Sequence, residues 1–241
     1  VVLSNPLYFL FKLRTRSSPV TSKLNLWPLS VIPDDAKPLT KANLANTNLS
    51  GAQMIDANLE QARMQGGNFV ATNFSNANMK NIHAAYPAVS FKNAKLVNVD
   101  LTSAFLRSAE FSGADLTDSN LSGIDASEGI KFVGAKLINC KLINARLTHS
   151  NPQNADLTGA DLTGSRMASS NLKGANLTNA NLTRVGLIGA DLTAAKLGGA
   201  ILTEATYDKS TKFPLGFDPV SKGAIGPDAN LKGKDLTGLS L

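Results

Sequence analysis

The sequence contains little cysteine, few aromatic residues and no long apolar run. Cys140 is the one cysteine among 241 residues, so the sequence offers no internal disulfide. Aromatic residues make up 6% of the chain and hydrophobic residues 43%. This composition predicts a narrow core of small and medium aliphatic side chains. No apolar run approaches the roughly 20 residues of a membrane-spanning helix, so we predict no transmembrane segment.

Charge of one sign is not concentrated in the long middle of the chain. The net charge is +6, but residues 39–209 contain 15 basic and 13 acidic residues. A nucleic-acid groove needs a concentrated basic stripe. The sequence therefore predicts no nucleic-acid partner.

The N-terminal segment, residues 1–33, has no acidic residue and is rich in serine and threonine. Its basic residues are Lys12, Arg14, Arg16 and Lys23. Such a composition is typical of organelle targeting sequences, although the prolines in this segment interrupt any helix. Two interpretations stay open: an irregular arm that caps the rest of the chain, or the remainder of a targeting sequence.

A five-residue pattern begins at Leu39 and runs to Tyr207. Each unit contains a small residue, a polar residue and a large apolar residue, often followed by Ser or Thr, as in Ala114-Asp115-Leu116, Ala155-Asp156-Leu157 and Ala175-Asn176-Leu177. A period of five fits neither a helix nor a flat strand. One unit cannot bury its own apolar side chain, so the units must stack into a continuous core.

This pattern resembles the pentapeptide-repeat family. The resemblance implies an all-β fold, a right-handed four-sided β-helix of about eight coils, with four pentapeptides in each coil. It also implies that the large residue and the small residue two positions before it point inward. The chain then divides into an irregular N-terminal arm (1–38), the β-helix (39–209), and a C-terminal cap with a short resumed repeat (210–241).

Two interruptions of the repeat, Pro87-Ala88 and Gly129, test the four-sided arrangement. If both are bulges that preserve the register, large residues four units apart lie in one column. Four of the five central phenylalanines then form a single stack: Phe69, Phe91, Phe111 and Phe132. Both bulges fall at the same corner, because they follow Ala84 and Ala126 in a neighbouring column.

The outward polar positions predict alternating charge between neighbouring coils. Glu110 should face Lys131 and Asp125 should face Arg146, and like charges stacked directly would repel. The stacking of Arg146 on Arg166 is the exception to this alternation.

The segment from Ala205 to Pro219 departs from the repeat and resembles the closing stretch of cyanobacterial and chloroplast pentapeptide-repeat proteins. That resemblance implies the thylakoid lumen or another plastid or cyanobacterial compartment. We expect its phenylalanines to cover the open end of the core. Two further repeat units occur within residues 229–238.

No constellation of residues in the sequence supports catalysis. His83 and His149 lie in different coils without the spacing of metal ligands. Cys140 takes a small inward position, which favours inert burial. The sequence predicts no enzyme, no metal site and no cofactor.

The remaining interpretation is a scaffold that binds a protein partner. We expect an assembly factor or accessory subunit of a photosynthetic complex in the thylakoid, and a permanent place in a membrane-associated complex stays open. Candidate contacts lie in the N-terminal arm and around the bulged corner: Tyr8, Phe9, Phe11, Trp27, Pro87, Arg146 and Arg166. The alternative is a DNA mimic that binds topoisomerase, as some family members are, but this needs a strongly acidic surface and the chain is basic.

Overall fold

The computed structural model of the protein describes residues 39–227. In this range the chain forms a right-handed four-sided β-helix, which confirms the predicted fold class. The N-terminal arm and the resumed repeat at 229–238 lie outside the described residues. So do four of the candidate contacts: Tyr8, Phe9, Phe11 and Trp27.

The four sides are built from single-residue parallel β-bridges and not from longer strands. Asn43 pairs with Arg63, and Arg63 pairs in turn with His83. These partners are separated by one coil of four pentapeptides, as the repeat predicts. Within the described range the one helix is a short 3-10 helix, Val220–Lys222, which ends at Gly223 with a φ of 83°.

Each corner is a β-turn whose third residue has a positive φ. The N–H of Thr47 donates to the carbonyl of Leu44, and Asn46 between them has a φ of 57°. Asn, Asp and Gly tolerate this conformation better than most residues, which explains their place in the repeat. The polar residue that precedes the large residue also holds the turn, because Asp156 Oδ1 accepts the N–H of Thr158 at 3.1 Å.

The core consists of alternating layers of large and small side chains. The predicted phenylalanine column is confirmed, since all its members are buried and their rings follow one another. The ring centroids of Phe69 and Phe91 are 5.3 Å apart, those of Phe91 and Phe111 4.8 Å, and those of Phe111 and Phe132 5.4 Å. This column passes both bulges without losing register.

Both interruptions lie at one corner, as predicted, and the structure adds a third. Asp191 pairs with Lys212, one residue more than a regular coil, so an extra residue follows Tyr207 at the same corner. This insertion is not apparent from the sequence, because Asp208–Thr211 forms a loop that hides the five-residue period. Strand pairing consequently continues past residue 209, to Lys212 and Ile225.

The phenylalanines of the closing segment cover the end of the core. Phe213 and Phe217 are partly buried against it, and so is Tyr207. The rings of Tyr207 and Phe213 meet edge to face at 5.2 Å, and Phe217 stacks on Phe213 at 5.6 Å. The apolar end of the solenoid is thereby shielded from water.

Candidate functional site

One side of the β-helix differs from the others in its outward residues. We call it the bulged face, because the corner that contains the extra residues borders it. Its outward residues and the neighbouring corner residues are Arg63, His83, Phe105, Asp125, Arg146, Arg166, Tyr86, Pro87, Arg107 and Glu128.

An exposed aromatic group lies in the N-terminal half of this face. The imidazole of His83 stacks on the ring of Phe105, with centroids 4.9 Å apart and planes 14° from parallel. Phe105 is 42% exposed although it takes an outward position, and Tyr86 in the adjacent corner is 55% exposed. Pro87 follows Tyr86 in that corner and is exposed too. Large apolar side chains exposed together on a rigid surface are typical of interaction sites.

The middle of the face holds a buried carboxylate whose partner comes from the coil before it. Arg107 Nε and Nη2 both donate to Asp125 Oδ2, at 2.9 and 2.7 Å. The third guanidinium nitrogen, Nη1, donates to Glu128 Oε1 at 3.2 Å. Arg107 thus neutralises Asp125 and joins the face to its corner.

The environment of Asp125 favours the ionised carboxylate. Burial raises the pKa of Asp125, but hydrogen bonds from Arg107 and Ser127 and the positive charge of Arg107 lower it more, so the net shift is downward. Asp125 is therefore charged at neutral pH and already satisfied by Arg107.

Two arginines follow Asp125 on the next coils, and their charges are poorly compensated. Arg146 Nε lies 4.0 Å from Asp125 Oδ1, at the limit of an ion pair. Arg166 makes no ion pair within residues 39–227, and both side chains are exposed. The two residues are bridge partners on neighbouring coils, about 4.8 Å apart. Together they form an exposed site of concentrated positive charge.

Several outward charges on the other sides are compensated by a bridge partner on the neighbouring coil. Lys136 pairs with Asp115 at 3.7 Å on the opposite side, and Lys131 pairs with Glu110 at 3.5 Å on an adjacent one. This is the alternation expected from the sequence. The bulged face is distinguished by both its aromatic stack and its two neighbouring arginines.

The structure brings three predicted contacts onto one surface and reveals others. Pro87 lies in the bulged corner, and Arg146 and Arg166 lie on the face that the corner borders. Sequence reasoning missed Phe105 and Arg107. The available signal was that Phe105 replaces the usual Asn or Asp of its unit, and that Arg107 replaces the usual Ser or Thr.

The remaining reactive residues make no site in the described part of the chain. Burial raises the pKa of the Cys140 thiol to about 12, and its Sγ donates to the Leu116 carbonyl at 2.8 Å. His83 and His149 are both exposed and lie on different coils. Among residues 39–227 no cluster of His, Cys, Asp and Glu could hold a metal ion, and no helix has the length and apolar character to cross a membrane.

Comparison with known protein families finds one match. The pentapeptide-repeat model matches in eight copies, which span more than half of the chain: residues 42–81, 88–123, 130–167 and 170–206. No curated protein matches the chain.

Solved structures of similar fold include QnrB1, a plasmid-mediated fluoroquinolone resistance protein, at 12% identity. The match covers 77% of this chain and 84% of QnrB1, with a TM-score of 0.48. HetL, involved in heterocyst differentiation regulation in the cyanobacterium Nostoc sp. strain PCC 7120, is 28% identical over 79% of this chain and 89% of its own, with a TM-score of 0.23. A protein of the Arabidopsis thaliana thylakoid lumen is 23% identical over 59% and 66%, with a TM-score of 0.17. Since every TM-score is below 0.5, no function follows from these likenesses.

Proposed function

Because the chain belongs to the pentapeptide-repeat family, we propose that it is a non-enzymatic scaffold whose bulged face binds a protein partner. The observation that supports this is the exposed His83–Phe105 stack on a face that also carries Arg146 and Arg166. Aromatic residues and arginines are the side chains most enriched at the energetic centres of protein interfaces.

The fold supports this role because its surface is pre-organised. Backbone hydrogen bonds link every coil to the next, as between the N–H of Leu106 and the carbonyl of Asp125 at 2.8 Å. A partner therefore meets side chains whose backbone positions are already fixed, and little conformational entropy is lost on binding.

We extend the proposal to an accessory subunit or assembly factor of a photosynthetic complex, in the thylakoid lumen or another plastid or cyanobacterial compartment. Two features support this extension. The closing segment 205–219 resembles that of cyanobacterial and chloroplast family members, and residues 1–33 have the composition of a targeting sequence.

A DNA mimic remains the disfavoured alternative. Such a mimic needs a continuous acidic stripe, whereas outward carboxylates here are separated by lysines, as in the stack of Asp115, Lys136 and Asp156. In the described coils no two acidic residues are direct bridge partners. Because charges of both signs are interspersed along the sides, the surface does not reproduce the continuous negative potential of duplex DNA.

The proposal is tested by isolating the tagged protein from its native cells under mild conditions, followed by sizing and mass spectrometry. We expect it to migrate within a larger assembly. The variant Phe105→Asn removes the exposed ring and should release the protein from that assembly. Migration of the unaltered chain as a lone rod-shaped monomer would contradict stable docking.

Ile201→Asn is the matched control. Ile201 also takes an outward position and is 51% exposed, but it lies on an adjacent side of the solenoid. This variant should stay in the assembly. If both variants are released equally, the bulged face is not the binding surface.

A further inference from the structure

The bulged face carries the one like-charge pair of bridge partners found among residues 39–227, Arg146 and Arg166. Like charges directly opposite each other on neighbouring strands destabilise a sheet. The nearest carboxylate, Asp125, is already bound by two nitrogens of Arg107. An external anion placed between the two guanidinium groups would remove the repulsion and supply the missing counter-charge.

Resting on the proposed function, we infer that the partner presents an acidic extended segment, in which one carboxylate binds between Arg146 and Arg166 while a preceding large apolar residue packs on Phe105. Arginine suits this role because its planar guanidinium binds a carboxylate through two parallel hydrogen bonds. Apolar contact with the His83–Phe105 stack would remove the exposed ring from water.

The dimensions of the face fix the spacing of the segment. Arg146 lies two coils beyond Phe105 and Arg166 lies three coils beyond it. At about 4.8 Å per coil, these distances are about 10 and 14 Å along the axis. An extended peptide rises about 3.3 Å per residue and points successive side chains to opposite faces. The residue four positions after the apolar residue therefore shares its face and lies about 13 Å along the peptide, where its carboxylate can reach between the two arginines.

A protein segment fits this surface better than a nucleic acid. The uncompensated charge is confined to two neighbouring arginines, whereas a duplex presents a long row of phosphates that calls for many basic contacts. The phosphates of a bound duplex would also meet Asp125 and Glu128, which lie on the Phe105 side of Arg146. A short peptide can place a carboxylate between the two arginines and pass Asp125 with uncharged residues.

The test uses the full chain, labelled with ¹⁵N, and the synthetic peptide acetyl-Phe-Gly-Gly-Glu-Glu-amide at low salt. We expect saturable amide shifts that centre on Phe105, Arg146 and Arg166. The Arg146→Gln/Arg166→Gln double variant should bind about tenfold more weakly, because two exposed ion pairs are lost. Raising the ionic strength to about 1 M should weaken binding of the unaltered chain similarly.

Lys95→Gln/Lys196→Gln is the matched control variant. It removes the same total charge from outward positions on the opposite side, where neither lysine forms an ion pair within the described coils. Its peptide affinity should equal that of the unaltered chain. Equal thermal unfolding of both double variants establishes that the fold is intact.

Three results would overturn the inference. The peptide acetyl-Phe-Gly-Gly-Gln-Gln-amide could bind as well as the glutamate peptide, or the double arginine variant could bind unchanged. A short DNA duplex could also bind more tightly than the peptide and lose its affinity in the arginine variant. Any of these outcomes leaves the proposed function standing if Phe105→Asn still releases the protein from its native assembly, so the two failures are distinguishable.

Discussion

The ring of Phe91 stacks on the ring of Phe111 one coil away, with centroids 4.8 Å apart and planes 22° from parallel. That separation matches the spacing of paired strands, so each ring sits directly on the next with no side chain between them. The column therefore joins consecutive coils through the core, in addition to the hydrogen bonds that join them along the sides.

Replacing a ring in this column should lower the free energy of unfolding more than any surface change. We expect Phe111→Ala to cost about 3–5 kcal/mol, because it leaves a cavity between two buried rings. Urea unfolding monitored by circular dichroism measures this loss. Phe105→Ala on the same coil should change stability by less than about 1 kcal/mol, since that ring lies on the surface and is 42% exposed. Similar losses for the two variants would contradict a stacked core.

Pro152 interrupts the backbone ladder of the phenylalanine column. A residue with an N–H at this position would donate to the carbonyl of Asn171, as the equivalent residue Phe132 donates to Asn151 at 2.9 Å. Proline has no N–H, and a small cavity lies beside its ring. Pro152→Leu should restore the hydrogen bond and fill the cavity.

We expect Pro152→Leu to raise the free energy of unfolding by about 1 kcal/mol. Urea unfolding at neutral pH measures this change in free energy. Leu172→Ile on the next coil, which conserves side-chain volume, is the control variant. A fall in stability on introducing leucine would show that the local backbone is fitted to proline.

The sequence predicted the repeating part of this molecule well, because each unit repeats the same local physics. The inward position, the turn residue and the Phe69–Phe132 column all follow from the period and from two bulges. It did not predict the ion pair of Arg107 with Asp125, because this contact joins different positions of different coils. The His83–Phe105 stack lies in one column of the same register, but the period does not show that the two rings stay exposed.

The Arg107–Asp125 contact should control the acidity of Asp125. With Arg107→Gln the main hydrogen-bond donor and the nearest positive charge are gone, so burial is opposed less strongly and the pKa of Asp125 should rise. A ¹³C NMR titration of the carboxyl carbon measures this change. Arg146→Gln should have a smaller effect, because Arg146 lies 4.0 Å away.

The same substitution should lower stability at neutral pH by about 1 kcal/mol, allowing for the partial exposure of Arg107. The folded-state pKa of Asp125 is below its unfolded value, so this contribution is present above pH 4 or so and disappears as the pH falls through the folded pKa. The stability difference between the two proteins should therefore shrink in acid. If the stability difference did not change with pH, the effect would come from the packing of Arg107 and not from its charge.

The loop after Tyr207 should be sensitive to acid through Asp208. Hydrogen bonds from the Gly189 N–H and from Ser210 and Thr211 lower the pKa of Asp208 to about 2. An unfolded aspartate titrates at about 3.9, so the ionised carboxylate stabilises the loop above that pH and the stabilisation is lost as the pH falls to about 2. Amide shifts of Gly189 and Thr211, followed by NMR from pH 5 downward, report the transition.

We expect these amides to change together near pH 2. In Asp208→Asn the side chain can still accept hydrogen bonds but cannot be protonated, so the same amides should stay constant across this range. A transition of the unaltered chain near pH 4 would mean that Asp208 does not hold the loop in solution. The third insertion would then depend on the donation of Thr211 Oγ1 to the Leu187 carbonyl at 2.9 Å, a bond that acid does not break.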